Sequence, residues 1–183
     1  MYERRDKFYE KAKKAGYRAR SSYKLIEIQT KYNLIKSGDV VLDIGCAPGS
    51  WLQVVKKYTR GKIFGVDIVP MKKISGVKFI QEDVRKVKFD AKFDVVISDI
   101  APKTTGSREE DQFLSYELSR ESFLVAKKNL KKKGNFVVKT FQSQDTEELV
   151  KEMKPFFEFV KRYVPKSTRQ SSKELYIVAL GFK

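Results

Sequence analysis

The chain has 183 residues with 39 Lys and Arg against 23 Asp and Glu, a net charge of +16; the length supports one domain with a substantial core, and the imbalance favours a polyanionic partner, most often nucleic acid. It has no histidine and one cysteine, Cys46, which excludes Ser-His-Asp triads, Cys-His dyads, histidine-based zinc chemistry and an internal disulfide. Hydrophobic residues reach 41% without a run of membrane-spanning length, and residues 1–20 are charged throughout with no apolar segment of signal type, so a cytoplasmic protein with no membrane partner is expected.

In chain order, a helical pattern covers 3–15 inside a basic segment, 1–20, that carries Arg4, Arg5, Lys7, Lys11, Lys13, Lys14, Arg18 and Arg20 among Tyr2, Phe8, Tyr9 and Tyr17. Basic and aromatic side chains together suit phosphate contact and base stacking. The plainer alternative is a solvated helix, which Glu3, Asp6 and Glu10 support. A second helix is predicted over 21–32, followed by a buried strand over 39–45. That strand carries Asp43 and leads into Gly45, Cys46, Ala47, Pro48 and Gly49, a tight loop opening a helix over 49–59. Glycines at such a turn let backbone approach a ligand. The spacing is neither G-x-G-x-x-G nor G-x-x-x-x-G-K-[ST], so NAD and ATP readings weaken. Cys46 has no second cysteine or evident base to support thiol chemistry.

Strands over 62–68, 77–81 and 93–99 follow, ending near Asp67, Asp83 and Asp99. Asp is common in turns, but four successive aspartates at one sheet edge fit turn statistics poorly, and a carboxylate after the second strand typically accepts from ribose hydroxyls. A long helix is predicted over 109–132, with Ser107 as N-cap, acids first, lysines last and Gly134 as its stop. The strand over 135–141 contains Lys139, which either lays its methylenes on apolar surface or serves chemistry at the carboxyl end of a parallel strand. A helix over 145–154 and strands over 157–164 and 174–182 complete the chain. Strand–helix alternation predicts a doubly wound parallel sheet. The short link 165–173 makes the last two strands antiparallel and returns Lys166, Arg169 and Lys173 to the edge of the aspartates. Lysines 127, 128, 131, 132 and 133 fall at the opposite edge, where they complement a helix dipole.

D-x-G-x-A-P-G-S-W over 43–51, Asp67 at the second strand end, S-D-x-A-P over 98–102, "RARSSYKL", "FVVKTFQ" and "SSKELYIVA" resemble the S-adenosylmethionine-dependent methyltransferases of the FtsJ type, which modify RNA ribose 2′-hydroxyls. The resemblance runs from about residue 6 onward. It implies an α/β, Rossmann-like fold in a single domain over 1–183, with seven mostly parallel strands, an antiparallel last strand and helices on both faces. It implies S-adenosyl-L-methionine as cofactor and no metal. It also implies a catalytic tetrad of Lys24, Asp99, Lys139 and Glu174, and cofactor contacts at Gly45, Gly49, Trp51, Asp67, Asp83 and Asp99. The implied substrate is a ribose, a uridine's, in ribosomal RNA or the large ribosomal subunit, with related tRNA methyltransferases as the alternative; no DNA partner is expected, and a monomer is. Trp51 retains a second reading, as an anchor of its helix on the sheet.

Lys103 departs from the family, which has Asn there. A base-nitrogen methylase would carry P-P-[YFW] where this chain has "DIAPK"; a non-catalytic RNA-binding module would explain the charge but not the tetrad. An ordinary lysine, with a pKa near 10.4, is a poor base at neutral pH. Burial and Lys24 favour a neutral Lys139, Asp99 and Glu174 a charged one, and the sequence leaves that balance open.

Overall fold

A computed structural model describes residues 7–183; Tyr2, Glu3, Arg4, Arg5 and Asp6 of the basic segment lie outside them. The helices are α1 (Lys7–Lys14), α2 (Ser22–Tyr32), α3 (Ser50–Tyr58), α4 (Arg108–Asn129) and α5 (Gln144–Met153). The strands are β1 (Val41–Ile44), β2 (Ile63–Asp67), β3 (Val77–Gln81), β4 (Phe93–Ser98), β5 (Leu130–Phe141), β6 (Phe157–Tyr163) and β7 (Glu174–Phe182). They form one sheet in the order β3-β2-β1-β4-β5-β7-β6. The first five are mutually parallel, and β7 inserts antiparallel between β5 and β6.

Both faces are buried, because successive side chains of a strand point to opposite sides. Leu42, Ile44, Val96, Phe136 and Val138 face a core with Phe123, Ala126, Leu149 and Met153 of α4 and α5. Val41, Val95, Ile97, Val137 and Val178 face the other, with Leu25 and Ile28 of α2 and Leu52 and Val55 of α3. Doubly covered parallel strands read as continuous apolar runs, which is why "VVL" and "VVI" carry no alternation. No described helix is long and apolar enough to cross a membrane.

The long helix ends earlier than its composition suggests. Leu130 is already extended (φ −70°, ψ 147°), so Lys131, Lys132 and Lys133 belong to β5 and Gly134 is a strand residue, not a helix stop. One residue of β4, Asp94, faces four of β5, 131–134, between the Phe93–Leu130 and Val95–Asn135 pairs, so the lysine run is absorbed as an irregularity. Gly134 is required there by close approach: a Cβ would meet Lys131 O at 2.9 Å and Asp94 O at 3.0 Å. Ser107 occupies the N-cap position of α4 but makes no side-chain cap bond; instead Asp111 Oδ1 accepts from Thr105 N at 2.7 Å.

Candidate active site

The carboxyl ends of β1, β2 and β4 open onto a cleft of about 1030 Å³ whose lining includes Gly45, Ala47, Asp67, Met71, Asp99 and Lys103. Gly45 (φ 70°) and Gly49 (φ 100°) take backbone conformations that side chains rarely adopt, and a Cβ on Gly45 would meet Ile100 at 2.8 Å. The loop is fixed to β2: Gly45 N donates to Val66 O at 2.8 Å, and Ala47 N donates to Asp67 Oδ2 at 2.8 Å. Asp67 Oδ1 accepts from Val69 N at 2.8 Å. Each Asp67 oxygen thus has one loop partner and keeps acceptor capacity toward the cleft. An adjoining cavity of about 250 Å³ shares Gly45, Asp67 and Ile68 and is bordered by Asp83. Asp83 lies two residues beyond β3, and hydrogen bonds from the Arg85 side chain and backbone hold its carboxyl down to about 2.

Asp43 sits within β1, not at its end, and is 1% exposed. Neither of its carboxylate oxygens has a hydrogen-bond partner. Burial, then the charges of Asp99 and Asp67, push its pKa well above the usual carboxylate range. Folding therefore favours the protonated form, and above the unfolded value of about 3.9 the native state holds the extra proton. Stability from this group falls as pH rises through that window. Asp43→Asn removes the titration, so its melting temperature relative to wild type is expected to climb from pH 4 to pH 8 in scanning calorimetry; an offset constant with pH would contradict this. Burial, then Asp43 and Asp67, raises the Cys46 thiol far above its ordinary pKa, which leaves it inert.

At the same sheet edge two lysine–carboxylate pairs flank one ring. Lys139 pairs across strands with Tyr176, and Phe141 with Glu174, so Lys139, Tyr176 and Glu174 share a face. Lys139 Nζ is 3.0 Å from Asp99 Oδ1 and donates to Asp99 O at 2.6 Å. Lys24, on α2, forms an ion pair with Glu174 and lies 6.0 Å from the Tyr176 ring centroid. Tyr176 donates to Asp99 Oδ1 at 2.7 Å. Its fully buried phenol is pushed well above its ordinary pKa, first by burial and then by Asp99 and Glu174, which keeps it a neutral donor. The four predicted tetrad residues are together; Tyr176, which joins the two pairs, was not anticipated, although "ELYIVA" puts it two residues from Glu174 on the same strand face.

Trp51 lies elsewhere. It is 2% exposed, stacks on the inner side of Tyr176 at 5.8 Å and donates its indole N–H to Ser21 O at 2.9 Å. It does not line the cleft; α3 begins at Ser50, and this turn of helix faces the core beside α2 and β7. The indole anchors this helix on the sheet.

The basic segment is also more internal than its composition suggests. Phe8 and Tyr17 pack on Tyr23 at 5.6 and 5.9 Å, leaving Tyr9 as the exposed aromatic among those described there. Arg18 donates to three backbone carbonyls. Arg20 donates to Ser167 O at 2.5 Å and shares a cavity of about 340 Å³ with Lys24, Arg169, Ser171, Ser172 and Glu174. Burial first, and then the facing charge of Arg169, hold the Arg20 guanidinium below its ordinary pKa. Lys173 borders a separate recess with Arg108 and Gln142.

A doubly wound sheet with its last strand reversed, a glycine loop over a cleft and charged side chains at the carboxyl edge define the Rossmann-like methyltransferase class. Residues 17–182 match the FtsJ-like methyltransferase family model, and the chain belongs to that family. It is 41% identical to an Archaeoglobus fulgidus protein named ribosomal RNA large subunit methyltransferase E, over all of this chain and 99% of that one. A Bdellovibrio bacteriovorus protein of the same name is 43% identical with the same coverage. Among solved structures, a ribosomal RNA methyltransferase of Plasmodium falciparum superposes with a TM-score of 0.79 at 33% identity, over 91% of this chain and 98% of that one.

Proposed function

We propose that the protein methylates a ribose 2′-hydroxyl, a uridine's, in large-subunit ribosomal RNA, using S-adenosyl-L-methionine. The observation that carries this reading is the Lys139–Asp99 pair, with Nζ 3.0 Å from the carboxylate, at the mouth of a cleft that Asp99 itself lines. The names of the relatives favour large-subunit RNA over tRNA.

The cleft suits the cofactor chemically. It offers apolar wall at Ile68, Val69 and Met71 and acceptor capacity at Asp67. Asp67 would hold a ribose diol, Asp83 the neighbouring edge, and Gly45 and Gly49 the close backbone approach. Bound S-adenosylmethionine supplies an electrophilic methyl group on a sulfonium.

The residues of the chain do the rest. Asp99 presents Lys139 with two acceptors, its carbonyl and its Oδ1. In its neutral form the amine has two N–H groups for these acceptors and one lone pair, and in that form it takes the 2′-hydroxyl proton as that oxygen becomes nucleophilic. Tyr176 fixes Asp99, and Glu174 fixes Lys24, which positions the target nucleotide. Positioning of this kind contributes up to about 7–11 kcal/mol over free encounter. Arg20 and Arg169, in the cavity beside Lys24, suit RNA phosphates.

The test is methyl transfer from labelled S-adenosylmethionine to undermodified large subunits, deproteinised rRNA and bulk tRNA. Label in the large subunit or its rRNA is the expected result. Label in tRNA alone would replace the substrate, and binding of NAD in place of S-adenosylmethionine would overturn the chemistry.

A further inference from the structure

Arg18 lies near the end of the basic segment, between α1 and α2, and its backbone is docked on α3. Arg18 N donates to Gln53 Oε1 at 2.8 Å, and Gln53 Nε2 donates to Gly16 O at 2.9 Å. From this base the guanidinium reaches two different walls of the cleft. Nη1 donates to Pro48 O, on the glycine loop, at 2.8 Å and to Lys72 O, on the β2–β3 connection, at 2.7 Å. Nη2 donates to Lys73 O at 3.2 Å. The walls touch at this point: a Cβ on Gly49 would meet Ile74 at 2.7 Å, Arg18 Nη1 at 3.0 Å and Met71 Sδ at 3.3 Å.

The β2–β3 connection supplies Ile68, Val69, Pro70, Met71 and Lys72 to the cleft lining, with Ile68 70% and Val69 52% exposed. Among the described residues, the hydrogen bonds that hold 70–73 are the two from Arg18. A planar fork with five fixed donors can bridge carbonyls of two loops, whereas an ammonium acts as a point charge. An arginine already engaged with three carbonyls is poorly disposed to take a phosphate as well.

We propose that Arg18 is a positioning residue for the cofactor cleft: its guanidinium clamps the β2–β3 connection against the glycine loop and ties the shape of the cleft to the seating of the RNA-side segment. This rests on the reading of the cleft as a S-adenosylmethionine site.

The test compares wild type with Arg18→Lys, Arg18→Gln and Gln53→Ala, the last undocking the segment that carries the arginine. Loss of the bridging bonds is expected to raise KM for S-adenosylmethionine about tenfold in both Arg18 variants, with a smaller rise in Gln53→Ala. KM for RNA and kcat should change by less than about threefold. Amide hydrogen exchange at Val69 and Val77, whose N–H groups are bonded at the two ends of the connection, should accelerate in the variants without ligand, while β1 and β4 keep their protection. Lysine should not rescue. A rise in KM for RNA alone, largely restored by Arg18→Lys, would make Arg18 a phosphate contact and overturn the clamp. Unchanged exchange at Val69 and Val77 would overturn it too. If wild type fails to bind S-adenosylmethionine, the cofactor reading falls, and the exchange data alone decide whether the clamp stands.

Discussion

Lys139→Met is expected to slow the proposed methyl transfer about a hundred- to ten-thousand-fold, the range lost with a positioned general base. Methionine keeps an apolar stem in a site where the lysine is 6% exposed, so packing against β7 should survive while the amine is lost. Removing the amine leaves Asp99 with Tyr176 as its remaining described side-chain partner, and breaking a buried pair costs stability. The measurement therefore joins single-turnover kinetics to calorimetry. The expected result is a collapse in rate in protein that still melts cooperatively and still binds S-adenosylmethionine. A rate within about threefold of wild type would reduce Lys139 to a lysine resting on the end of a strand.

Trp51→Ala should lower stability by about 3–5 kcal/mol, the range for a large buried aromatic, or roughly 6–20 °C in melting temperature for a domain of this size. The indole fills the space between α2, α3 and β7 and satisfies Ser21 O; its stack against Tyr176 also supports the ring that holds Asp99. Trp51→Phe retains the stack and loses the hydrogen bond, so it should melt higher than the alanine variant and bind S-adenosylmethionine within about twofold of wild type. Weakened cofactor binding in Trp51→Phe with an unchanged melting temperature would return Trp51 to the cleft.

Much of this site could be read directly from the sequence, because its chemistry sits at strand ends, and strand ends are marked by short apolar runs punctuated by Asp and Gly. Asp67 and Asp99 are at the edge their positions imply, and Lys139 is where a parallel strand keeps chemistry. The pairing within the tetrad was not legible. Which lysine meets which acid depends on the register of β5 with β7 and on where the chain turns after β4. Tyr176 carries no signal of its own in the sequence, because an aromatic in an apolar strand reads as core, which it is, with its hydroxyl turned to Asp99. The start of β5 departs from the expected helix end because "KKKG" has the composition of a helix terminus, whereas the irregular pairing with β4 holds it in the sheet. Phe8 and Tyr17 looked like stacking platforms because composition does not say which face of a short helix is covered; Tyr23 covers it. The role of Arg18 depends on a connection more than fifty positions away, beyond any local pattern.

The most direct measurement is alkaline hydrolysis of RNA labelled by the purified protein from S-adenosylmethionine. Alkali cleaves RNA through attack by the 2′-oxygen on the adjacent phosphate, so a methyl group on that oxygen blocks cleavage and leaves a stable dinucleotide. Label is expected in alkali-stable dinucleotides from large-subunit rRNA and is expected to be absent when Lys139 is replaced. Label recovered in mononucleotides, on the base, would contradict it.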